Sequence, residues 1–202
     1  GDLTIQNTGD VTVNGYAMSY GLYAKSSNDG TVTITNAGDV AVNSQLATHN
    51  ADGPYGYTMP SMVARGVFGY SFYGDVVVNN ASAGNIDATG GDVAIGVHTA
   101  SFEGDTTVNN AGVIHAGDSG MAIGVLLEGV YGTNTLNNLG TGIISASGDE
   151  GYAFAVMGSD AVEIISNRGR ILGALSLYGG NDVFNNYGPN GVWDVGANVS
   201  TD

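Results

Sequence analysis

The sequence predicts an all-β chain wound as a right-handed parallel β-helix of about seven coils, each of roughly 29 residues carrying three short strands. Three observations predict it. An Asn-x-Gly element recurs at a nearly constant interval, apolar and polar columns alternate around it, and glycine is abundant without the marks of collagen or disorder.

The interval comes first. Asn is followed two residues later by Gly at Asn7/Gly9, Asn36/Gly38, Asn110/Gly112, Asn138/Gly140, Asn167/Gly169 and Asn186/Gly188. Asn80 belongs to the series, with its glycine displaced to Gly84. The successive Asn spacings are 29, 44, 30, 28, 29 and 19. One interval therefore holds an insertion, and the last coil is short. The chain is expected to be one continuous segment over 1–202, with an inserted loop at about 45–60.

The first strand of each coil precedes the Asn. Two residues before it stand Ile5, Ile34, Val78, Val108, Leu136, Ile165 and Phe184, all apolar, and one residue before it stands a polar residue in every coil. Alternation at period two marks a strand with one buried face. The second strand follows the Gly, as in Val11-Thr12-Val13, Val40-Ala41-Val42, Ile86-Asp87-Ala88, Ile114-His115-Ala116 and Ile144-Ser145-Ala146. The third follows a variable turn: Ala64-Arg65-Gly66-Val67, Ala94-Ile95-Gly96-Val97, Ala122-Ile123-Gly124-Val125 and Ala153-Phe154-Ala155-Val156. Both alternate sets of this strand are apolar or small, so its inward side is left open. No 3.6-residue pattern persists, and helices are expected to be scarce. A left-handed coil would show hexapeptide repeats, which are missing. The Asn column is expected to stack its amides coil on coil, each donating and accepting.

Composition bounds the partners. Charged residues are 11% and hydrophobic ones 43% of the 202 residues, which excludes a charged disordered tail. Glycine reaches 34 residues with only 3 prolines and no three-residue period, which excludes collagen. Nineteen acidic residues face four basic ones (Lys25, Arg65, Arg168 and Arg170), for a net charge of −15. So few cations cannot neutralise a run of phosphates, so nucleic acid and anionic membrane surfaces are not expected partners. No apolar run approaches the ~20 residues of a membrane helix, and direct membrane insertion of this segment is not expected. Cations and neutral glycans remain. Cysteine is absent, so stability must come from stacking. The first residues, Gly1 to Asn7, already read as mid-repeat, and Val192 to Val195 reads as the start of another coil. A piece of a longer protein is expected, continuing past Asp202 or pairing its ends with another copy.

Gly179-Gly180-Asn181-Asp182-Val183-Phe184-Asn185-Asn186-Tyr187-Gly188, with Gly191-Val192-Trp193-Asp194-Val195 after it, resembles the passenger repeats of bacterial autotransporters (type V secretion). The signature at Val32–Val40, Val-Thr-Ile-Thr-Asn-Ala-Gly-Asp-Val, is similar to the same passengers. The resemblance implies export through an outer-membrane barrel and display on, or release from, a Gram-negative surface. It implies a structural stalk or adhesin that attaches to a neutral glycan, a protein surface receptor or another copy of itself. It transfers no binding residue, because the family shares a scaffold rather than a site.

Two other classes use similar coils: β-helical carbohydrate-active enzymes, and viral or S-layer-like assembly proteins. The Asn-Thr-Asp, Gly-His-Gly and Arg-Ile-Lys signatures of the pectin hydrolases are missing, and Asp118, Asp149 and Glu150 fall in turns. No enzyme is expected. His49, His98 and His115 lack metal-ligand spacing, and His115 is expected on the solvated side of the second strand. The turn ahead of each Asn strand carries Asp29, Asp75, Asp105, Asp160 and Asp182. Two readings stand: turns that face solvent, or a ladder of oxygens for calcium, the one cofactor the sequence suggests. Tyr55 and Tyr57 lie in the insertion, and Phe68, Tyr70, Phe72 and Tyr73 follow it, with Phe68, Tyr70 and Phe72 on one face by alternation. These six either cover an apolar strip or bind a ligand.

Overall fold

A computed structural model describes residues 1–44, 62–117, 120–148 and 152–195. Its strands form three parallel sheets, and no helix occurs among the described residues. The first sheet stacks Leu3–Asn7, Val32–Asn36, Val76–Asn80, Thr106–Asn110, Thr133–Asn138, Val162–Asn167 and Val183–Asn186. The second stacks Val11–Gly15, Asp39–Ser44, Asn85–Thr89, Val113–Gly117, Ile143–Ala146, Arg170–Leu172 and Val192–Asp194. The third stacks Ser19–Ser26, Val63–Ser71, Val93–Ser101, Met121–Gly129, Ala153–Met157 and Ala174–Ser176. The order is that of a parallel β-helix, each strand pairing with its equivalent one coil away.

The register reproduces the columns read from the sequence. Ile5 pairs with Ile34, then Val78, Val108, Leu136, Ile165 and Phe184 in turn. The five central members have no solvent exposure, and Ile5 and Phe184 pack half-buried at the two ends of the stack. Val40, Ile86, Ile114, Ile144 and Ile171 of the second sheet fill the same core.

The Asn column is an unbroken ladder. Each side-chain amide donates to the carboxamide oxygen of the next coil, from Asn7 to Asn36, Asn80, Asn110, Asn138, Asn167 and Asn186, at 2.8–3.0 Å. Asn36, Asn110, Asn138 and Asn167 are fully buried and Asn80 nearly so, so the ladder satisfies groups that water cannot reach.

The third sheet resolves the parity that the sequence left open. Ala64, Val67, Gly69 and Ser71 point inward, whereas Arg65, Phe68 and Tyr70 point outward, so the alternation slips by one residue at Gly66. The same slip occurs at Gly96 and Gly124. A Cβ on Gly66 would stand 2.4 Å from Cγ2 of Ile86, and on Gly96 or Gly124 it would meet Ile114 or Ile144 at 2.6 and 2.9 Å. The isoleucine column of the second sheet therefore occupies the space that a side chain would need. Ala155 takes this position in the following coil.

Candidate functional site

With the slip in place, the outer face of the third sheet carries three columns. Tyr20, Arg65, Ile95, Ile123 and Phe154 form one, and Tyr23, Phe68, His98, Leu126 and Met157 the second. Lys25, Tyr70, Ala100 and Glu128 form the third. Val63, Ile95, Ile123, Leu126 and Met157 make a second apolar cluster on this face, separate from the core. The outer faces of the other two sheets carry mostly polar residues. Asn79, Asn109 and Asn137 bond to one another across the first, at 2.9 Å.

A hydrogen-bonded chain crosses four coils. Arg65 donates from its guanidinium to the Tyr20 hydroxyl and from Nε to Nδ1 of His98, both at 3.2 Å. That bond leaves Nδ1 without a proton, so His98 presents the N–H of Nε2 to Glu128 Oε2, 2.6 Å away. His98 is buried, while the Glu128 side chain stays 51% exposed. The hydrogen bond from His98 holds the Glu128 carboxyl below the usual carboxylate range. Burial works against it, and the charge of nearby Arg65 reinforces it. The Arg65 guanidinium also lies 5.5 Å from the ring centres of both Tyr20 and Phe68, and the Lys25 ammonium lies 5.2 Å from that of Tyr70.

Aromatic rings run along the same side. Tyr20, Tyr23, Phe68 and His98 contact one another with centroids 4.6–5.9 Å apart. Beyond the strand ends, Tyr73, Phe72, Phe102 and Tyr131 form a second file at 4.6, 4.9 and 5.1 Å. Tyr131 is 74% and Tyr73 47% exposed. Beside this file lies a groove of about 460 Å³, lined by Tyr70, Phe102, Glu128, Ser159, Asp160 and small residues between them.

The expected aromatic site is thus brought together in part. Phe68 and Tyr70 share the outer face, and Phe72 and Tyr73 stand in the turn that follows. Tyr55, Tyr57, His49 and the loop at about 45–60 lie outside the described residues, as do Asp118, Asp149 and Glu150. Sequence reasoning passed over Tyr20, Lys25, Glu128, Phe102 and Tyr131. Counting back 28 to 30 residues from Glu128 and Tyr131 reaches Ala100 and Phe102, and from these Tyr70 and Phe72, so the repeat itself carried the signal.

The five aspartates do not form one column. Asp75 and Asp105 stand one residue ahead of their strands, with Asp2 in the same place two coils earlier. Each carboxylate accepts a backbone N–H of a neighbouring coil: Asp2 from Thr31, Asp75 from Asp105, Asp105 from Thr133, at 2.7–3.0 Å. Asp29 and Asp160 lie farther upstream, and Asp182 falls level with Glu163, whose N–H it accepts at 3.0 Å. The turns differ in length, so equal positions in the sequence do not stack. Among the described residues, no group of three or more acidic or histidine side chains could hold a metal. His115 stands on the outward side of the second strand, partly exposed, with Nδ1 bonded to Ser145 Oγ at 2.9 Å and Nε2 to Ser147 Oγ at 3.4 Å.

One further polar group is internal. Thr106, Asn134 and Glu163 occupy an inward row of the first sheet, are fully buried and bond in series. Burial pushes the Glu163 carboxyl up, against the hydrogen bonds from Asn134 and Ser159, and its Oε2 has no partner among the described residues.

In comparisons with known proteins, no family model, no curated protein and no solved structure matches this chain.

Proposed function

We propose that this chain is a segment of a secreted or surface-displayed rod that attaches to an uncharged glycan along the side of its third sheet and the turns that follow it. The file Tyr73, Phe72, Phe102 and Tyr131 carries the reading: four rings drawn from three successive coils, part exposed, follow one another beside the third sheet. Flat rings stack on the apolar faces of sugars, and a file at coil spacing suits an extended polymer better than a single small ligand. The net charge of −15 disfavours acidic polysaccharides. The sequence resemblance to autotransporter passengers supports display on a Gram-negative surface, with the coils as scaffold and the outward columns as the place of contact.

Affinity electrophoresis in gels holding neutral polysaccharides tests this. The rod should be retarded, and the pair Tyr73→Ser and Tyr131→Ser should migrate freely while melting within a few degrees of the parent. No retardation in any neutral gel, or equal retardation of the double variant, refutes it. A second reading, glycan cleavage, is favoured by Glu128 and Asp160 lining one groove. Incubation with the retained polysaccharide and an assay for new reducing ends decides between binding and cleavage.

A further inference from the structure

We infer that the groove beside the aromatic file is a subsite for the free amine of a partly deacetylated amino-sugar polymer, so that the otherwise uncharged glycan of the preceding section carries scattered unacetylated glucosamine-type residues. The inference rests on that reading and names the chemistry of one part of the same face.

Charge complementarity assigns the occupant. The groove spans the third-sheet side from Tyr70 in one coil to Asp160 three coils on, and no lysine, arginine or histidine lines it. Its two charged groups are both carboxylates. Glu128 is not a carboxylate left over at a surface. The Arg65–His98 chain fixes it through Oε2 at 2.6 Å, holds it ionised, and leaves Oε1 as the acceptor that no protein donor takes among the described residues. Asp160 stands exposed across from it, on the turn that follows Met157. Ala100 and Tyr70 stand one and two coils before Glu128 in its own column, and Phe102 and Ala161 complete the lining. The face of Tyr70 already takes an ammonium, that of Lys25, at 5.2 Å from its centre. An ammonium ion offers three donors to carboxylate oxygens, and with the Tyr70 face held by Lys25 the two carboxylates are the part of the groove that takes the amine.

A neutral sugar would gain less, since its hydroxyls replace water on the carboxylates without adding opposite charge. An anionic sugar would be repelled. A lysine side chain has the same head group, but it brings no flat apolar face for the rings. The aromatic file running into the groove therefore favours a sugar. Arg65 and His98 are positioning residues, because they reach the ligand only through Glu128.

Isothermal titration of the whole chain tests the inference with three probes: glucosamine tetramer, its fully acetylated counterpart, and tetralysine. The expected order puts glucosamine tetramer tightest, with the acetylated tetramer and tetralysine each at least about tenfold weaker. Glu128→Gln and Asp160→Asn should each weaken the glucosamine tetramer about tenfold and leave the acetylated tetramer unchanged. Asp160 is exposed, so its variant keeps the test valid should Glu128→Gln fail to fold. Equal binding of the two tetramers, unmoved by either variant, overturns the subsite and leaves the neutral-glycan reading intact. Tetralysine binding as tightly as the glucosamine tetramer overturns the assignment to a sugar. Binding of neither tetramer overturns the subsite, and gel retardation on long neutral polysaccharides then tells whether the wider reading falls with it.

Discussion

Replacing Asn110 by Ala, beside the same replacement at Asn109, measures what the internal ladder contributes. The two residues are adjacent in one strand and differ only in the side of the sheet they face. Asn110 is fully buried; it accepts from Asn80 at 2.9 Å and donates to Asn138 at 2.9 Å and to the Ile143 carbonyl at 3.3 Å. Asn80 would keep its bonds to the Gly84 and Val113 carbonyls, so its amide stays satisfied. The carboxamide oxygen of Asn138 would lose the donor that the ladder supplies. Two good bonds at about 1 kcal/mol each and one stranded acceptor at about 1–2 kcal/mol give a loss of about 3–4 kcal/mol. Asn109 makes two bonds of similar length, but it is half-buried and water can replace them. Its loss should be about 0.5–1 kcal/mol. Equilibrium urea unfolding followed by circular dichroism gives both midpoints, and hydrogen exchange of the flanking strands shows whether the loss stays local, as nearest-neighbour stacking requires. Equal midpoint losses for the two variants would refute the argument, because they would make burial irrelevant to the ladder.

Val108→Asp places an unpaired charge in the dry core and should cost several kcal/mol, read as a lower thermal midpoint; a parent-like melt would contradict the inward column. Glu163 holds its proton more tightly in the folded rod than in the unfolded chain, so its contribution is intact at low pH and is lost as pH rises through the raised folded value. Glu163→Gln should therefore be the more stable protein at about pH 8 and lose the advantage toward about pH 4, and parallel stability profiles would contradict this. If the aspartates bind calcium as the sequence suggests, millimolar calcium raises the melting temperature and the pair Asp75→Asn and Asp105→Asn removes the rise; no shift leaves them as acceptors for backbone N–H groups.

The sequence was most legible where the constraint is internal. Inward side chains meet their own equivalents one coil away, so Ile34, Val78 and Val108 must all be apolar, and Asn36, Asn80 and Asn110 must all both donate and accept. Such columns survive an insertion because the register restarts after it. The third strand was illegible for a local reason. Its parity slips at Gly66, Gly96 and Gly124, and nothing in Ala-Ile-Gly-Val says whether the glycine is inward, outward or skipped. The cause lies in another strand, in the isoleucines that crowd those glycines. The aspartates misled because turns vary in length, and a residue type shared by turns does not imply a shared height. Asn134 and Glu163 were hidden differently: polar residues in an inward row look like a break in the pattern, and only their mutual bonds show them to be part of it.

The stacking that builds the rod also decides where recognition can be written. An inward substitution meets its equivalents above and below, so it alters at least two interfaces, and most core columns accordingly hold to one kind of side chain, the row Val76, Thr106, Asn134 and Glu163 excepted. An outward column has no such duty, and here the third sheet uses the freedom most. One column reads Lys, Tyr, Ala, Glu along successive coils and its neighbour reads Tyr, Phe, His, Leu, Met. Unlike residues stacked at coil spacing create chemistry that identical ones cannot: Arg65 reaches His98, and His98 reaches Glu128, because each stands one coil and one column from the next. The same contacts brace the outer face, since Arg65, His98 and Glu128 are each anchored on a strand paired on both sides and only Tyr20 sits on the terminal strand of the sheet. A site made this way is preorganised by the scaffold rather than by a folded loop. It follows that the groove's carboxylate keeps its position only while four consecutive coils remain in register, and local fraying at any of them should release Glu128 before it disturbs the core.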